Sequence, residues 1–355
     1  MSKRKKRILI ILIVFLALLA VLFIGAYGMF RSQLTAMKTI RKLDDRLYTL
    51  DYVGDYGFDE FQRRGGASSD SEVGSYVAEF LSHGFYKVQP DTANFGCSTV
   101  LAPSDNGYLF GRNYDWVDCT IMIVRTKPEN GYASVSTCNM DYLGFGEDYR
   151  PEGFQNQMLA LASVYVPLDG MNEMGLCVAD LMIEVDEVTN QDNGKVDLTT
   201  TTAIRKILDE AKDVDEAIEI LKNIDMHGSA GLMHHLALCD KSGRSVVAEY
   251  IDNELIITET PIVTNFFLTE GEKYGIGTEQ SKLRYSILSD FLSENATADP
   301  EDMRDALKSV CKKTLNDENE KTVWSIVCDP NAGTLTYYIR ENYEEKLVFP
   351  IREDE

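Results

Sequence analysis

The chain has 355 residues, 44% of them hydrophobic and 26% charged, with a formal net charge of −22. That length holds one large domain or two ordinary ones, and the composition is that of a globular protein with a core of ordinary size. Lys3, Arg4, Lys5, Lys6 and Arg7 carry five positive charges, so the rest of the chain carries −27; an acidic body of this kind repels nucleic acid and anionic surfaces, which excludes a nucleic-acid partner. The acidity reads first as solubility and second as selectivity for non-anionic substrates.

In chain order, residues 1–7 form a basic tail. Ile8 to Phe30 is an uncharged run of 23 residues. As a helix it spans about 35 Å at roughly 1.5 Å per residue, enough for a hydrocarbon core of about 30 Å. Positive residues stay cytoplasmic, which predicts a single-pass anchor with the body outside the cytoplasm. A secreted form is the alternative, since Gly25-Ala26-Tyr27-Gly28 suits a signal peptidase, although signal-peptide apolar regions run about 7–15 residues.

Residues 31–50 read as polar and mostly helical, and 51–61 as a structured loop. Ser69-Asp70-Ser71-Glu72 resembles a helix start, followed by an apolar face of Val73, Val77, Phe80 and Leu81 ending near Gly84. The segment 31–96 is therefore a folded, propeptide-like helical region. From residue 97 the pattern turns to strands: 97–102 and 108–113 around the turn Ser104-Asp105-Asn106-Gly107, then 120–126, 131–137, 160–166 and 175–184. Helices are expected at 200–212 and 214–223. Strands follow at 232–239, 244–250, 253–258 and 260–265, helices at 281–294 and 300–313, and strands at 322–328 and 333–340. Alternating groups of strands and helices predict packed sheets flanked by helices, an α+β layered domain over 97–355.

Seven cysteines are present, with no CxxC pair, which argues against a zinc ribbon or thioredoxin site. An odd count leaves at least one thiol unpaired in an exported chain, and no pairing can be read. Cys97 stands at the start of a strand after Gly96. A thiol is a strong nucleophile once partly ionised, and it needs a base. The histidines are His83, His227, His234 and His235, none in a Cys-protease signature; His234 and His235 are adjacent in a strand and point to opposite faces. Another base arises if the Gly96–Cys97 bond is cut. Cys97 then gains an α-amine with a pKa of about 7.7–8.0, within reach of its own thiol. A preceding Gly, without side-chain bulk, suits such a cut.

Gly96-Cys97-Ser98-Thr99 and Leu109-Phe110-Gly111-Arg112-Asn113-Tyr114-Asp115-Trp116 resemble the opening of the N-terminal-nucleophile linear-amide hydrolases. These include choloylglycine (bile salt) hydrolases, penicillin acyltransferase-like proteins and the acid ceramidase group. Asp169 to Leu176 resembles their DGxNExGL segment, Val263-Thr264-Asn265 their LTN strand end, Ser281 to Leu288 their Arg-bearing helix, and Trp324 to Arg340 their closing strands. The ordered set covers about residues 97–350. The resemblance implies a four-layer αββα fold, preceded here by one transmembrane helix, and hydrolysis of the amide bond of a small N-acylated molecule. It implies that Cys97 attacks the carbonyl, that Arg112 orients the thiolate, and that Asp115 holds the α-ammonium group. Asn265 would donate to the oxyanion, with Arg284 in support. Arg112 and Asp115 fall on opposite faces of a regular strand, so one site needs a bulge or a strand end to use both. No metal or organic cofactor is implied.

Bile salt hydrolases carry an Asn where this chain has Met182, and Met donates no hydrogen bond. This shifts the resemblance toward the penicillin acyltransferase-like members, which also have a propeptide ending at Gly-Cys. Asn172 and Glu173 read as structural turn residues. The rival readings are a catalytically silent binding or sensor domain on the same scaffold, a bile salt hydrolase, and an ordinary Cys protease.

Overall fold

The computed structural model describes residues 5–7, 10, 12–18, 28, 30–82, 96–315 and 321–352. Its central device is a hairpin of β3 (Gly96–Ser104) and β4 (Gly107–Trp116) around the predicted turn at Asp105-Asn106. Side chains alternate across a strand. Cys97, Leu101, Phe110, Tyr114 and Trp116 therefore enter one core, while Val100, Ala102 and Leu109 enter another. Two cores, one per face, require a layer on each side.

The hairpin lies in a six-stranded sheet with β14 (Ile262–Thr264), β15 (Lys321–Asp329), β16 (Thr334–Ile339) and β17 (Leu347–Pro350), in the order β14-β3-β4-β15-β16-β17. Facing it is a nine-stranded sheet. Its members are β1 (Arg41–Asp44), β2 (Leu47–Val53), β5 (Ile121–Lys127), β6 (Ser134–Asn139), β7 (Asp169–Asn172), β8 (Cys177–Ile183), β11 (Met233–Cys239), β12 (Ser245–Ile251) and β13 (Glu254–Glu259), in that spatial order. Ile121, Val135, Leu181, Trp324, Ile326 and Tyr337 fill the space between the sheets. A parallel pair, β9 (Val196–Thr199) and β10 (Ile224–His227), stands apart.

Helices cover both outer faces. Amphipathic α5 (Thr200–Glu210) and α6 (Val214–Lys222) pack Ile204, Ile207, Leu208, Val214 and Leu221 over the nine-stranded sheet. α7 (Glu279–Glu294) and α8 (Pro300–Ser309) cover the six-stranded sheet with Leu288, Met303 and Leu307. Asp299 caps α8 through a capping box with Asp302, and Pro300 sits at its first position. Close contact of α8 with β4 depends on Gly111, where a Cβ would lie 2.6 Å from the Met303 sulfur. The result is the expected four-layer αββα order.

The segment before Cys97 departs most from expectation. Only Arg31–Met37 (α1) is helical within 31–50; β1 and β2 follow, and β2 pairs in parallel with β5. Tyr48, Leu50 and Tyr52 enter the outer core at alternate positions, while exposed β1 forms the sheet edge. Lys and Asp in that edge obscured the strand signal. The expected loop at 51–61 is the end of β2 plus the start of α2 (Phe58–Arg63), and the expected helix appears as α3 (Asp70–Ser82). Residues 31–82 are thus part helix and part sheet, and 83–95 lie outside the described residues.

The strand expected at 160–166 is instead α4 (Phe154–Ala160) running into a 3-10 turn over Leu161–Tyr165. A short apolar run does not separate a strand from a buried helical segment by periodicity. β7, β9, β10 and β17 were not anticipated; each has four residues. Among the described residues no helix is long and apolar enough to cross a membrane. The expected anchor, 8–30, lies largely outside them, though residues 12–18 are helical and exposed.

Because Leu50 is fully buried in β2, Leu50→Ala should cost about 2–5 kcal/mol of stability. Urea unfolding of the full chain measures this. A change below about 0.5 kcal/mol, usual for a peripheral site, would show that β2 is not integral to the sheet.

Candidate active site

Cys97 is the second residue of β3, opposite Tyr114, and is almost wholly buried. Thr99, two residues on, pairs with Arg112, so Cys97 and Arg112 share the face between the sheets. The guanidinium lies beside the Cys97 thiol, where its charge favours the thiolate. It also reaches the other sheet: Nη2 donates to the Asp180 carbonyl (2.7 Å) and Nε faces Asp169 Oδ2 (3.4 Å). Nη1 returns to the Asn113 carbonyl at 3.0 Å. Asp169 is held in turn by Trp324 Nε1 (2.8 Å), and the Trp324 ring stacks on Tyr114 with centroids 3.9 Å apart.

The nitrogen side of Cys97 is organised separately. Its N–H, here a peptide amide, donates to Asn265 Oδ1 at 2.6 Å. Arg284, in α7, donates from Nη2 to the same oxygen (2.6 Å) and to the Cys97 carbonyl (3.2 Å), and from Nε to Ser98 Oγ (3.0 Å). Asn265 Nδ2 donates to the Met182 carbonyl at 2.7 Å, which fixes the amide's orientation and leaves its second hydrogen. The turn after Asn265 is held by buried Glu249, whose carboxylate accepts from the backbone of Leu268 (2.9 Å) and Thr269 (2.7 Å) and faces His235 Nδ1 at 3.0 Å.

Asp115 pairs opposite Gly96, on the face away from Arg112, and accepts from Thr322 Oγ1 at 2.6 Å. The two faces are reconciled by a strand end, because β3 begins at Gly96. The thiol points to the Arg112 face, while the nitrogen lies in the strand beside Asp115. β4 itself is regular; the register irregularity falls in β15, between Thr322 and Trp324. The other four expected residues, Arg112, Asp115, Asn265 and Arg284, thus gather around Cys97.

Burial pushes the Cys97 thiol up to about 11, more than the neighbouring Arg112 cation offsets, with Asp115 and Asp180 adding to the rise. With Gly96 attached, the sulfur is therefore a protonated thiol at neutral pH. Burial also raises Asp169 despite its Arg112 partner. All seven cysteines are free thiols.

Among the described residues no histidine bonds to Cys97. His227 lies between Asn190 (2.8 Å) and Asp197 (2.9 Å), and His235 faces Glu249. As expected, His234 points the other way from His235, toward Asp180 (2.9 Å). His83 is outside the described residues. Asn172 is structural, as anticipated: Nδ2 donates to the carbonyls of Leu208 and Ala211, and Oδ1 accepts from Met174 and Leu176. Asp169, Trp324, Asp180 and Glu249 were not singled out beforehand. Asp169 and Trp324 lay inside segments of the resemblance; no pattern marked Asp180 or Glu249.

A cavity partly open to solvent lies on the Asp180 side of the site. Tyr142 and Asp180 line it, and both act electrostatically together with Cys97. Much of its wall is apolar, and α3 contributes Val73 and Val77.

Burial lowers the His234 pKa, but the Asp180 carboxylate and the Ser229 carbonyl outweigh it and hold the imidazole above its ordinary value. A group raised in the folded state stabilises fully below its unfolded pKa, about 6.5, and loses that contribution as pH rises through the folded value. Accordingly, the Tm gap between wild type and His234→Gln should be widest on the acid side of 6.5 and narrow with rising pH. A gap that widens with pH would contradict the pairing. Asp169→Asn leaves the buried Arg112 without its carboxylate and should cost about 3–5 kcal/mol in urea unfolding; a loss under about 1 kcal/mol would remove Asp169 from that role.

Residues 102–344 match the family model for acyl-coenzyme A:6-aminopenicillanic acid acyl-transferase. Among solved structures, a mutant of the conjugated bile acid hydrolase of Clostridium perfringens aligns with TM-score 0.52 and 18% identity, over 72% of this chain and 92% of that one. Penicillin V acylase from Agrobacterium tumefaciens aligns with TM-score 0.45 and 16% identity, over 68% and 83% of the two chains. The Caenorhabditis elegans ortholog of N-acylethanolamine-hydrolyzing acid amidase aligns with TM-score 0.44 and 13% identity, over 72% and 100%. At 18% identity, the likeness to the bile acid hydrolase is one of fold. A search of curated protein sequences gives no match.

Proposed function

The chain belongs to the acyl-coenzyme A:6-aminopenicillanic acid acyl-transferase family, and on that premise we propose that it hydrolyses the linear amide bond of small N-acylated molecules with Cys97 as an N-terminal nucleophile. The observation that carries this is the division of labour around one residue. Arg112 lies beside the thiol and its charge favours the thiolate, while Asn265 and Arg284 hold the nitrogen and carbonyl of Cys97. A structural cysteine needs no such separate service to its sulfur and its backbone.

The nucleophile becomes competent when the Gly96–Cys97 bond is cut. The thiol attacks the Gly96 carbonyl, the acyl group moves from nitrogen to sulfur, and water hydrolyses the thioester. Gly96 leaves as a carboxylate and Cys97 keeps a free amine. In each later turnover that amine takes the thiol proton, and the thiolate attacks the substrate carbonyl. The remaining hydrogen of Asn265 Nδ2 is the donor for the oxyanion, a contribution of about 2.7–4 kcal/mol where such donors are removed. The α-ammonium group protonates the departing amine, with Asp115 stabilising its charge, and water then releases the acid from sulfur. The neighbouring apolar cavity receives the acyl chain.

The body is held at a membrane through residues 8–30, outside the cytoplasm. The uncharged run and the exposed apolar side chains of Leu12, Ile13, Val14, Phe15 and Leu16 support this reading. After cleavage the anchor still holds the catalytic part, because β2 pairs with β5 along its whole length.

N-terminal sequencing and intact mass of purified protein test the cut. Two fragments that stay together under native conditions, one beginning at Cys97, are expected. Cys97→Ala should remain a single, inactive chain. Amide hydrolysis by protein uncut at Gly96 would sink the proposal.

A further inference from the structure

The cavity that Tyr142 and Asp180 share with the surroundings of Cys97 has an apolar side formed by Val73, Val77, Tyr142 and Leu168, and a charged side formed by Asp180 and His234. His234 has both ring nitrogens next to acceptors: Nδ1 is 2.9 Å from Asp180 Oδ1 and Nε2 is 2.8 Å from the Ser229 carbonyl. A neutral imidazole carries one N–H, so two acceptors require the doubly protonated ring. His234 therefore has no donor left for a ligand. Its hydrogen bond fixes the orientation of the Asp180 carboxylate.

Asp180 is differently placed. A carboxylate offers about four lone-pair sites, and among the described residues His234 occupies one. The rest make it an acceptor on the wall of a mostly apolar cavity. It acts electrostatically on the Cys97 thiol, and its backbone carbonyl takes Arg112 Nη2 at 2.7 Å. Asp70, on the same cavity wall, accepts from the Ala230 backbone at 2.6 Å and adds a second carboxylate. Two carboxylates against one imidazolium disfavour an acidic acyl group.

We propose that Asp180, oriented by His234, is a specificity determinant that reads a hydrogen-bond donor on the acyl chain, a hydroxyl or amino group within a carbon or two of the scissile carbonyl. This rests on the reading of Cys97 as an amide-hydrolysing nucleophile. The preferred substrates are then hydroxyacyl or aminoacyl amides rather than plain fatty acyl amides.

The test compares kcat/KM of the full chain on the p-nitroanilides of hexanoic acid, its 3-hydroxy and 2-amino derivatives, and adipic acid. A donor-bearing chain should exceed the plain one by about ten- to a hundredfold, the range for a hydrogen bond to a charged group. The adipoyl compound should be the poorest. Asp180→Asn should reduce the donor preference by about tenfold, whatever its absolute rate. Parity with the plain chain in wild type, or an unchanged preference in a folded Asp180→Asn chain, overturns the inference. If that variant does not fold, the wild-type ratios decide. Hydrolysis that persists in Cys97→Ala refutes the nucleophile alone. Should no anilide be cleaved, binding of hexanamide and 3-hydroxyhexanamide to Cys97→Ala reads the same preference: tighter binding of the hydroxyamide supports it, and equal binding refutes it.

Discussion

A guanidinium buried between two sheets must find acceptors on both of them. Arg112 projects from β4 of one sheet and meets Asp169 of β7 and the Asp180 carbonyl of β8 on the other. Leaving such a charge unpaired costs several kcal/mol, so the sheets are held in one relative position where Arg112 crosses. The Cys97 thiol sits at that crossing. The inter-sheet core, with Tyr114 stacked on Trp324 and Trp324 bonded to Asp169, surrounds the polar bridge and excludes water from it. The same contacts that align the layers also place a cation beside the sulfur.

The second half of the site follows from the edge of the smaller sheet. β14 pairs with β3 over three residues, Ile262 to Thr264, and the next residue is Asn265. Its amide reaches back to the Cys97 nitrogen because the strand has just ended. Arg284 enters from α7, whose Ser281 bonds to Thr264, so helix and strand end are locked together. Glu249 fixes the chain on the far side by accepting two successive backbone N–H groups. Burial alone would raise Glu249, yet these bonds and His235 hold it below the ordinary carboxylate range. It therefore stays ionised where a protonated acid would lose an acceptor.

Much of this was legible in the sequence because the signals were local. The hairpin around Asp105-Asn106, the helices α5 to α8, and Cys97 with the four residues around it each sit in short, characteristic stretches. The nine-stranded sheet was harder to read. β1 is charged and β7 has only four residues, so neither carries an alternation long enough to recognise. The helical stretch through Leu161–Tyr165 looked like a strand because its residues are buried on every side. Asp180 and His234 were invisible as a pair, since 54 residues separate them and only the β8–β11 register brings them together. Non-local pairing is what a single sequence expresses least.

The contact between the Cys97 nitrogen and Asn265 spans 168 residues, and the β2–β5 pairing joins chain on either side of the Gly96–Cys97 bond. The groups around that bond therefore come together only after most of the polypeptide has been made and folded. Contacts of such long range form late and at high entropic cost. A cut that depends on Arg112, Asn265 and Arg284 would act as a maturation checkpoint. Nascent or misassembled chains would keep the nucleophile blocked as an inert thiol, and only a correctly built molecule could arm itself.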